Sequence, residues 1–515
     1  MDQKKIPYCS VSQTKPSCFI AGYAKKSLVF LSLLMIGGCA VTPQPFSKAE
    51  LDTFAADRAR RAIAADQQPV TQAIDLYEAM ARALKYNLDH KLEMAEAALR
   101  YAELRDGEFD MLPELVAKVD WSDRSNDPFS RSLREDQSIS TDASTSTDIG
   151  SAGSSLELSW DILDYGLSYY RSRQAADSYL MAEEQRRSTI NRTIEDVRTA
   201  FWRAVAAERH LSDLDKLEMN ARSALSDAEE QVRSGNGNKL EALQYQREML
   251  ETIRSAQELR RDLFVAKNQL AALMNLPQGQ EFSVTIPGHH ILNTPITKQT
   301  SAQLTDTALR NRPEMREIAY RLRINGAEAD AAVLSLLPSI RGFLGINYDS
   351  NEYLVNEDWT EWGARVSWDL IALARYPRSK QRIGKQEALL DARALALTQA
   401  IATQVYVSNK RFHSLQQETS IARNLHSVSD RVFLQARSEY ESGLASNRVL
   451  VREQLNAILA SLRYDATYAE MQGAFANVYA AVGLDAYDGA LMGNESVQEL
   501  AASLRLLWRE RGDKS

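Results

Sequence analysis

The reactive side chains of this sequence form no arrangement suited to catalysis. His289 and His290 follow Pro287-Gly288 in a proline-bearing stretch, where exposed histidines are commoner than metal ligands. His413 and His426 stand thirteen residues apart, too far to share one local helical site. No H-E-x-x-H, P-loop, G-x-S-x-G or paired C-x-x-C occurs. Tyr165, Tyr169 and Tyr170 lie where a strand pattern gives way to a helix pattern, and an amphipathic ring there suits interfacial anchoring better than proton transfer. Neither a cofactor nor a metal is expected, and the chain is expected not to be an enzyme. Its formal charge of −8 also speaks against a general nucleic-acid binder.

The remaining covalent chemistry belongs to a thiol. Lys25 and Lys26 precede an apolar run, Leu28 to Ile36, which is followed by Gly37, Gly38 and Cys39. A basic flank, an apolar core too short to span a bilayer and small residues before a cut site make residues 1–38 a secretory signal. Ile36-Gly37-Gly38-Cys39 resembles the bacterial lipobox, whose cysteine is acylated and becomes the first residue. Ala40 stands where an aspartate would signal inner-membrane retention, so the resemblance implies the outer membrane. An ordinary signal peptide that happens to contain a cysteine is the alternative. Cys9 and Cys18 lie upstream and would leave with the signal, so no disulfide forms within the mature chain.

Behind the signal, composition is that of long helices, with 25% charged and 8% aromatic residues. Leu167 to Ser234 contains neither glycine nor proline. Within it Ile190, Val197, Ala204, Leu211, Glu218, Leu225 and Val232 recur every seventh residue, the spacing of a coiled-coil seam. A continuous helix of that length spans roughly 100 Å at ~1.5 Å per residue. The same pattern returns from Arg378 to Ser442, interrupted only by Gly384.

The recurrence is part of a duplication. Ala83-Leu84 and Pro113 align with Ala308-Leu309 and Pro338 at an offset of 225. Leu158-Ser159-Trp160-Asp161, Ser234-Gly235 and Leu276 align with Val366-Ser367-Trp368-Asp369, Ser442-Gly443 and Leu484 at an offset of 208. The first copy therefore carries 17 extra residues, within the Ser-, Thr- and Asp-rich loop Ser122–Ser155. After an extended or equatorial segment at 39–71, the first repeat is read over 72–276, with strands at about 114–122 and 154–164 and a hairpin tip at 234–240. A linker occupies 277–300. The second repeat follows over 301–484, with strands at about 339–348 and 361–370 and a tip at 442–448, and 485–515 forms an equatorial or tail segment. Each repeat opens with a single helix, about Leu76–Met111 and Leu304–Leu337, stopped by a Leu-Pro step.

The strands alternate apolar and polar residues, which gives each one apolar and one polar face. Trp121, Leu158, Trp160, Val366 and Trp368 fall on the apolar face and are expected to meet lipid, while Ser159 and Ser367 are expected to face water. A sheet in lipid must close, because open edges leave backbone groups unsatisfied. Closed bacterial barrels begin at about eight strands, and four are offered here, so the barrel must be shared between subunits.

These features together resemble the TolC-like outer-membrane factor family over nearly all of the mature chain. The matching parts are the duplicated helix, two strands, long helix, turn and helix, and the entry motifs Ala83–Asp89 and Ala308–Glu314. The turn from Gly235 to Gln244 matches too, with an acid, Glu241, six residues after its glycine. The resemblance implies a mainly α fold: long-helix hairpins forming a tunnel, and four strands per chain completed by trimerisation to a twelve-stranded barrel in the outer membrane of a Gram-negative bacterium. It also implies that the tips Gly235-Asn236-Gly237-Asn238 and Gly443-Leu444-Ala445-Ser446 dock onto a periplasmic adaptor (membrane fusion) protein of an inner-membrane transporter. Where the family carries acids after the second turn glycine, this chain has Val449 and Arg452. Glu241, Arg448 and Arg452 are thus the candidates for the periplasmic entrance, the alternative being that the arginines pair with neighbouring carboxylates on a solvated face. The implied function is a passive exit duct of a tripartite efflux pump, favoured by the lipobox. An outer channel for type I protein secretion is the second reading. A periplasmic coiled-coil scaffold without a pore is the third.

Overall fold

The computed structural model describes residues 44–62, 67–133, 135, 137–234, 238–287, 300–487 and 495–513. The signal, Cys39, Gly235, Asn236, Gly237, His289 and His290 lie outside the described residues.

Residues 1–62 and 63–515 are separate compact units. The first contains helix α1 (Lys48–Ala62), within the extended or equatorial segment expected at 39–71. A reciprocal cap starts it: Ser47 N donates to Glu50 Oε2 at 2.8 Å and Glu50 N to Ser47 Oγ at 3.3 Å, which satisfies two otherwise orphaned donors.

The second unit holds the duplication: its two short helices repeat to the residue and its other elements to within two. Helices α2 (Leu76–Tyr86) and α3 (Leu88–Phe109) reappear 225 residues later as α6 (Ser301–Asn311) and α7 (Pro313–Leu334). One helix had been expected in each place. The chain instead bends at Asn87 (φ −60°, ψ 132°) and at Arg312 (φ −64°, ψ 133°). At Asn87 the cause is capping, since its side chain accepts from Asp89 N and His90 N. At Arg312 it is Pro313, whose ring forces the preceding residue out of the helical region and suits the first helical position.

Four strands follow in two hairpins, β1 (Glu114–Asp123) with β2 (Gly150–Asp161), and β3 (Ser339–Asp349) with β4 (Asp358–Ser367). They form one antiparallel sheet in the order β1-β2-β3-β4. Two strands end earlier than the alternation suggested. Asp161 Oδ1 accepts from Leu163 N at 2.9 Å, and Asp369 Oδ1 from Ile371 N at 3.0 Å, so each aspartate caps a helix and stops the strand before it. Those helices are α4 (Ile162–Ser234, 73 residues) and α8 (Leu370–Glu441, 72 residues), each about 110 Å long at ~1.5 Å per residue. Their return partners are α5 (Lys239–Leu273) and α9 (Asn447–Val482), and α10 (Val497–Asp513) closes the chain. Both return helices stop alike, on Asn275 (φ 53°) and Gly483 (φ 73°), with Leu276 N bonded to Ala271 O at 2.9 Å and Leu484 N to Tyr479 O at 3.0 Å.

The four long helices lie side by side in the order α5, α4, α9, α8. Along α8 the buried residues Ile401, Val405, Ser408, Phe412, Leu415, Thr419 and Ala422 alternate spacings of four and three. Along α4 the expected column is buried at Ile190, Val197 and Ala204, but two successive spacings of three, through Ala207 and His210, then shift the seam. From there Leu214, Leu217, Ala221, Ala224 and Ala228 are buried, and Leu211 and Leu225 are only partly covered. The heptad column is buried for half of its length, and beyond it a neighbouring column faces inward.

His90, at the start of α3, is almost wholly buried, with Nδ1 2.8 Å from Leu84 O and Nε2 unpartnered. Burial depresses its pKa, the Arg186 guanidinium acts in the same direction, and the Leu84 carbonyl opposes both. A histidine depressed in the folded state takes up its proton more readily when unfolded. Its contribution to stability is therefore present above the unfolded value of about 6.5 and is lost as pH falls below it. Denaturant midpoints between pH 7.5 and 5 should decline more steeply for the natural chain than for His90→Gln. Parallel profiles would remove His90 as a cause.

Candidate functional site

The sheet inverts the arrangement of a soluble protein. Register aligns Leu115 with Leu158, Leu158 with Leu344 and Leu344 with Trp362, one apolar row across all four strands. Every member of that row is exposed, as are Val119, Trp121, Leu156, Trp160, Ile340, Ile346 and Val366 on the same face. The opposite face carries Lys118, Glu157, Arg341, Asn347 and Glu361, interrupted by Val116, Trp359 and Phe343, the last with its ring over Gly363. Along β2 and β3 that polar face is the better covered of the two. Ser159 is 5% exposed, so it does not face water freely as expected, whereas Ser367 is exposed.

The outer strands β1 and β4 each leave one edge without a partner among the described residues. Strand lengths of 10 to 12 residues fit the roughly 9–11 needed to cross a bilayer as tilted β-structure. No described helix is long and apolar enough to cross a membrane.

Of the five residues expected to meet lipid, Trp121, Leu158, Trp160 and Val366 lie on the bare apolar face of the sheet. Trp368 lies just past β4, and its Nε1 donates to Leu336 O at 2.9 Å, which ties the end of the sheet to the end of α7. Tyr165 packs edge-on against Trp160 with ring centroids 5.6 Å apart, and Tyr169 against Tyr170 at 5.7 Å.

At the far ends of α4 and α8 are the turns. Gly443 adopts φ +74°, and Gly443 N and Leu444 N donate to Tyr440 O and Glu439 O at 3.0 and 2.8 Å. This bond pair satisfies the last carbonyls of α8, and the left-handed residue it requires is glycine. Leu444 is left 82% exposed, Ala445 follows, and Ser446 starts α9 without a side-chain cap. Of the first tip only Asn238 is described, and its side chain caps α5 through Leu240 N at 3.0 Å. Glu241 is exposed, in the first turn of α5. Arg448 Nε donates to Glu248 of α5 at 2.6 Å, and Arg452 Nε to the adjacent Glu453 at 3.0 Å. Both arginines are thus ion-paired.

Sequence reasoning missed a polar node between the repeats. Asp465 of α9, almost fully buried, lies 2.8 Å from His210 Nε2 and accepts from the Arg209 guanidinium, both on α4. Arg209 Nη2 also donates to Pro287 O at 2.8 Å. A groove of about 770 Å³ beside the node is walled by α4, α8 and α9. Its only local signal was His210 itself, a polar residue at a seam spacing. Among the described residues no group of three or more His, Cys, Asp or Glu is placed to hold a metal.

Residues 89–276 match the outer membrane efflux protein family model. The probable outer membrane lipoprotein SilC of Salmonella typhimurium is 26% identical over 198 residues, which is 38% of this chain and 42% of that protein, less than half its length. The Campylobacter jejuni CmeC outer membrane channel superposes with a TM-score of 0.62 at 14% identity, covering 87% of this chain and 96% of that one. The open state of the Neisseria gonorrhoeae MtrE outer membrane channel gives 0.61 at 16% identity, covering 80% and 89%. At those identities the structures show a shared fold. Across its first repeat this chain is thus similar to the outer membrane efflux protein family, and over four-fifths of its length it shares the fold of these outer membrane channels.

Proposed function

We propose that the protein is the outer-membrane exit duct of a tripartite efflux pump, conducting small molecules passively from the periplasm to the exterior. The observation that carries this reading is the sheet: its apolar face is bare, its polar face is sheltered along β2 and β3, and both its edges are open among the described residues. Such a sheet is stable in lipid only as part of a closed barrel, with polar residues around the lumen. Three copies supply twelve strands, and the trimer is the state that the family resemblance favours. A coiled-coil scaffold without a pore has no use for an apolar row of four strands facing outward. Acylation of Cys39 would add a lipid anchor, consistent with the lipoprotein name of SilC.

The tips are the proposed contact with a periplasmic adaptor, and through it with an inner-membrane transporter. Leu444 supports this, because an apolar side chain left bare at the end of a helix hairpin is suited to be covered by another hairpin. Ser446→Trp places bulk at the tip without touching the left-handed glycine. It is expected to leave a detergent-resistant oligomer in the outer membrane while abolishing resistance to exported compounds. Unaltered resistance would put docking elsewhere. Pore formation itself is tested by single-channel recording of the purified protein in planar bilayers, where a protein that never conducts would refute the duct.

A further inference from the structure

The insertion present only in the first repeat extends the sheet beyond β1 and β2. Arg124 N donates to Ile149 O at 2.9 Å, and bridges join Ser130 to Ser144 and Leu133 to Ile139. The arm returning to β2 is fastened to the chain's own β3–β4 turn. Buried Asn351 donates through Nδ2 to Ser146 O at 2.9 Å and accepts from Asp148 N at 3.1 Å, and Asp148 Oδ2 accepts from Glu352 N at 2.6 Å. The arm leaving β1, residues 124–133, has no such attachment and prolongs the open edge of the sheet. At the opposite edge the turn entering β4 is equally bare, with Val355 97% exposed.

These two bare segments are complementary. The β1 arm presents Arg124 and Arg131, with Asp127 between them, and exposed Phe129. The β4 turn presents Glu352, Glu357 and Asp358 around Val355. Among the described residues neither arginine and none of the three acids has an ion-pair partner. The register places Asp123 and Asp358 at the same end of the sheet. In a ring built head to tail, β1 of one copy meets β4 of the next as an antiparallel pair. The β1 arm then lies beside the neighbour's β4 turn.

We propose that the insertion is a clasp between subunits: residues 124–131 dock on residues 352–358 of a second copy of this chain, Arg124 and Arg131 against its acids and Phe129 against its Val355. The inference rests on the shared barrel, and the experiment separates the two. Full-length chains carrying Phe129→Cys and differently tagged chains carrying Val355→Cys are co-expressed and treated in outer membranes with a short bis-maleimide, beside chains without the new cysteines. A product bearing both tags is expected. Reversing charge with Arg124→Glu and Arg131→Glu should lower its yield roughly two- to fivefold, the range of exposed ion pairs, and Glu352→Arg with Glu357→Arg in the other chain should restore it. The edge pair Val119→Cys with Trp362→Cys reports barrel closure alone. Linking at the edge pair without linking at the loop pair overturns the clasp and leaves the barrel standing, and so does a loop yield that charge reversal does not move. Failure at both pairs overturns the shared barrel and the clasp with it.

Discussion

Leu158→Arg is expected to cost about 2–4 kcal/mol of stability in the membrane, the penalty for a cation on the lipid face near the bilayer midplane. Leu158 sits in the apolar row between Leu115 and Leu344, so the guanidinium would enter a surface that is apolar across the full width of the sheet. Val366→Arg, on the same face of β4, should behave alike, with a smaller loss if it lies closer to the interface. The comparison is with Ser367→Arg and Glu157→Arg on the polar face, where a charge meets water and the loss should stay within about 1 kcal/mol. Ser159 is unsuited to the comparison, because at 5% exposure it would report crowding instead of polarity. Urea unfolding of the purified protein in lipid vesicles reads all four variants. Equal losses on the two faces would refute the assignment of which face meets lipid.

Asp465→Ala should destabilise the helical part by about 3–5 kcal/mol, the cost of leaving buried charge and polar groups without their partner. The carboxylate receives both His210 and Arg209, and all three are largely withdrawn from water. Arg209 keeps its bond to Pro287 O, which moderates the loss. Asp465→Asn should cost less, since an amide oxygen still accepts from His210 but carries no charge for Arg209. The node ties α4 of the first repeat to α9 of the second, so the expected signature is a lower unfolding midpoint of the helices with the sheet unaffected. Circular dichroism melts, read against the detergent resistance of the oligomer, separate the two. An Asp465→Ala protein that melts with the natural one would show the node to be dispensable.

What the sequence by itself determined is what local periodicity and repetition encode. The offsets of 225 and 208 locate nearly every element of the second repeat from the first, because equal sequence patterns cap, bend and end their helices in equal ways. The alternation along β1 to β4 likewise defined two faces, since side chains of a strand point to opposite sides whatever the strand packs against. Pro313 marked a bend by its own covalent geometry. Its counterpart at Asn87 was harder to read, as an asparagine caps only when the chain leaves the helix there.

Tertiary structure decided the rest, and in each case through residues far apart in the chain. Which face of the sheet is bare follows from how the strands sit on the helices, and so does the burial of Ser159. The inward placement of Leu214 and Ala221 instead of Leu211 and Glu218 follows from where α5 and α9 approach α4, which a heptad column does not contain. Arg448 and Glu248 are 200 residues apart, and His210 and Asp465 are 255 apart. No window of sequence contains both partners of such a pair. A periodic pattern names the face that must be covered, while the identity of what covers it, and of the edges left for another copy to cover, exists only once the chain has folded.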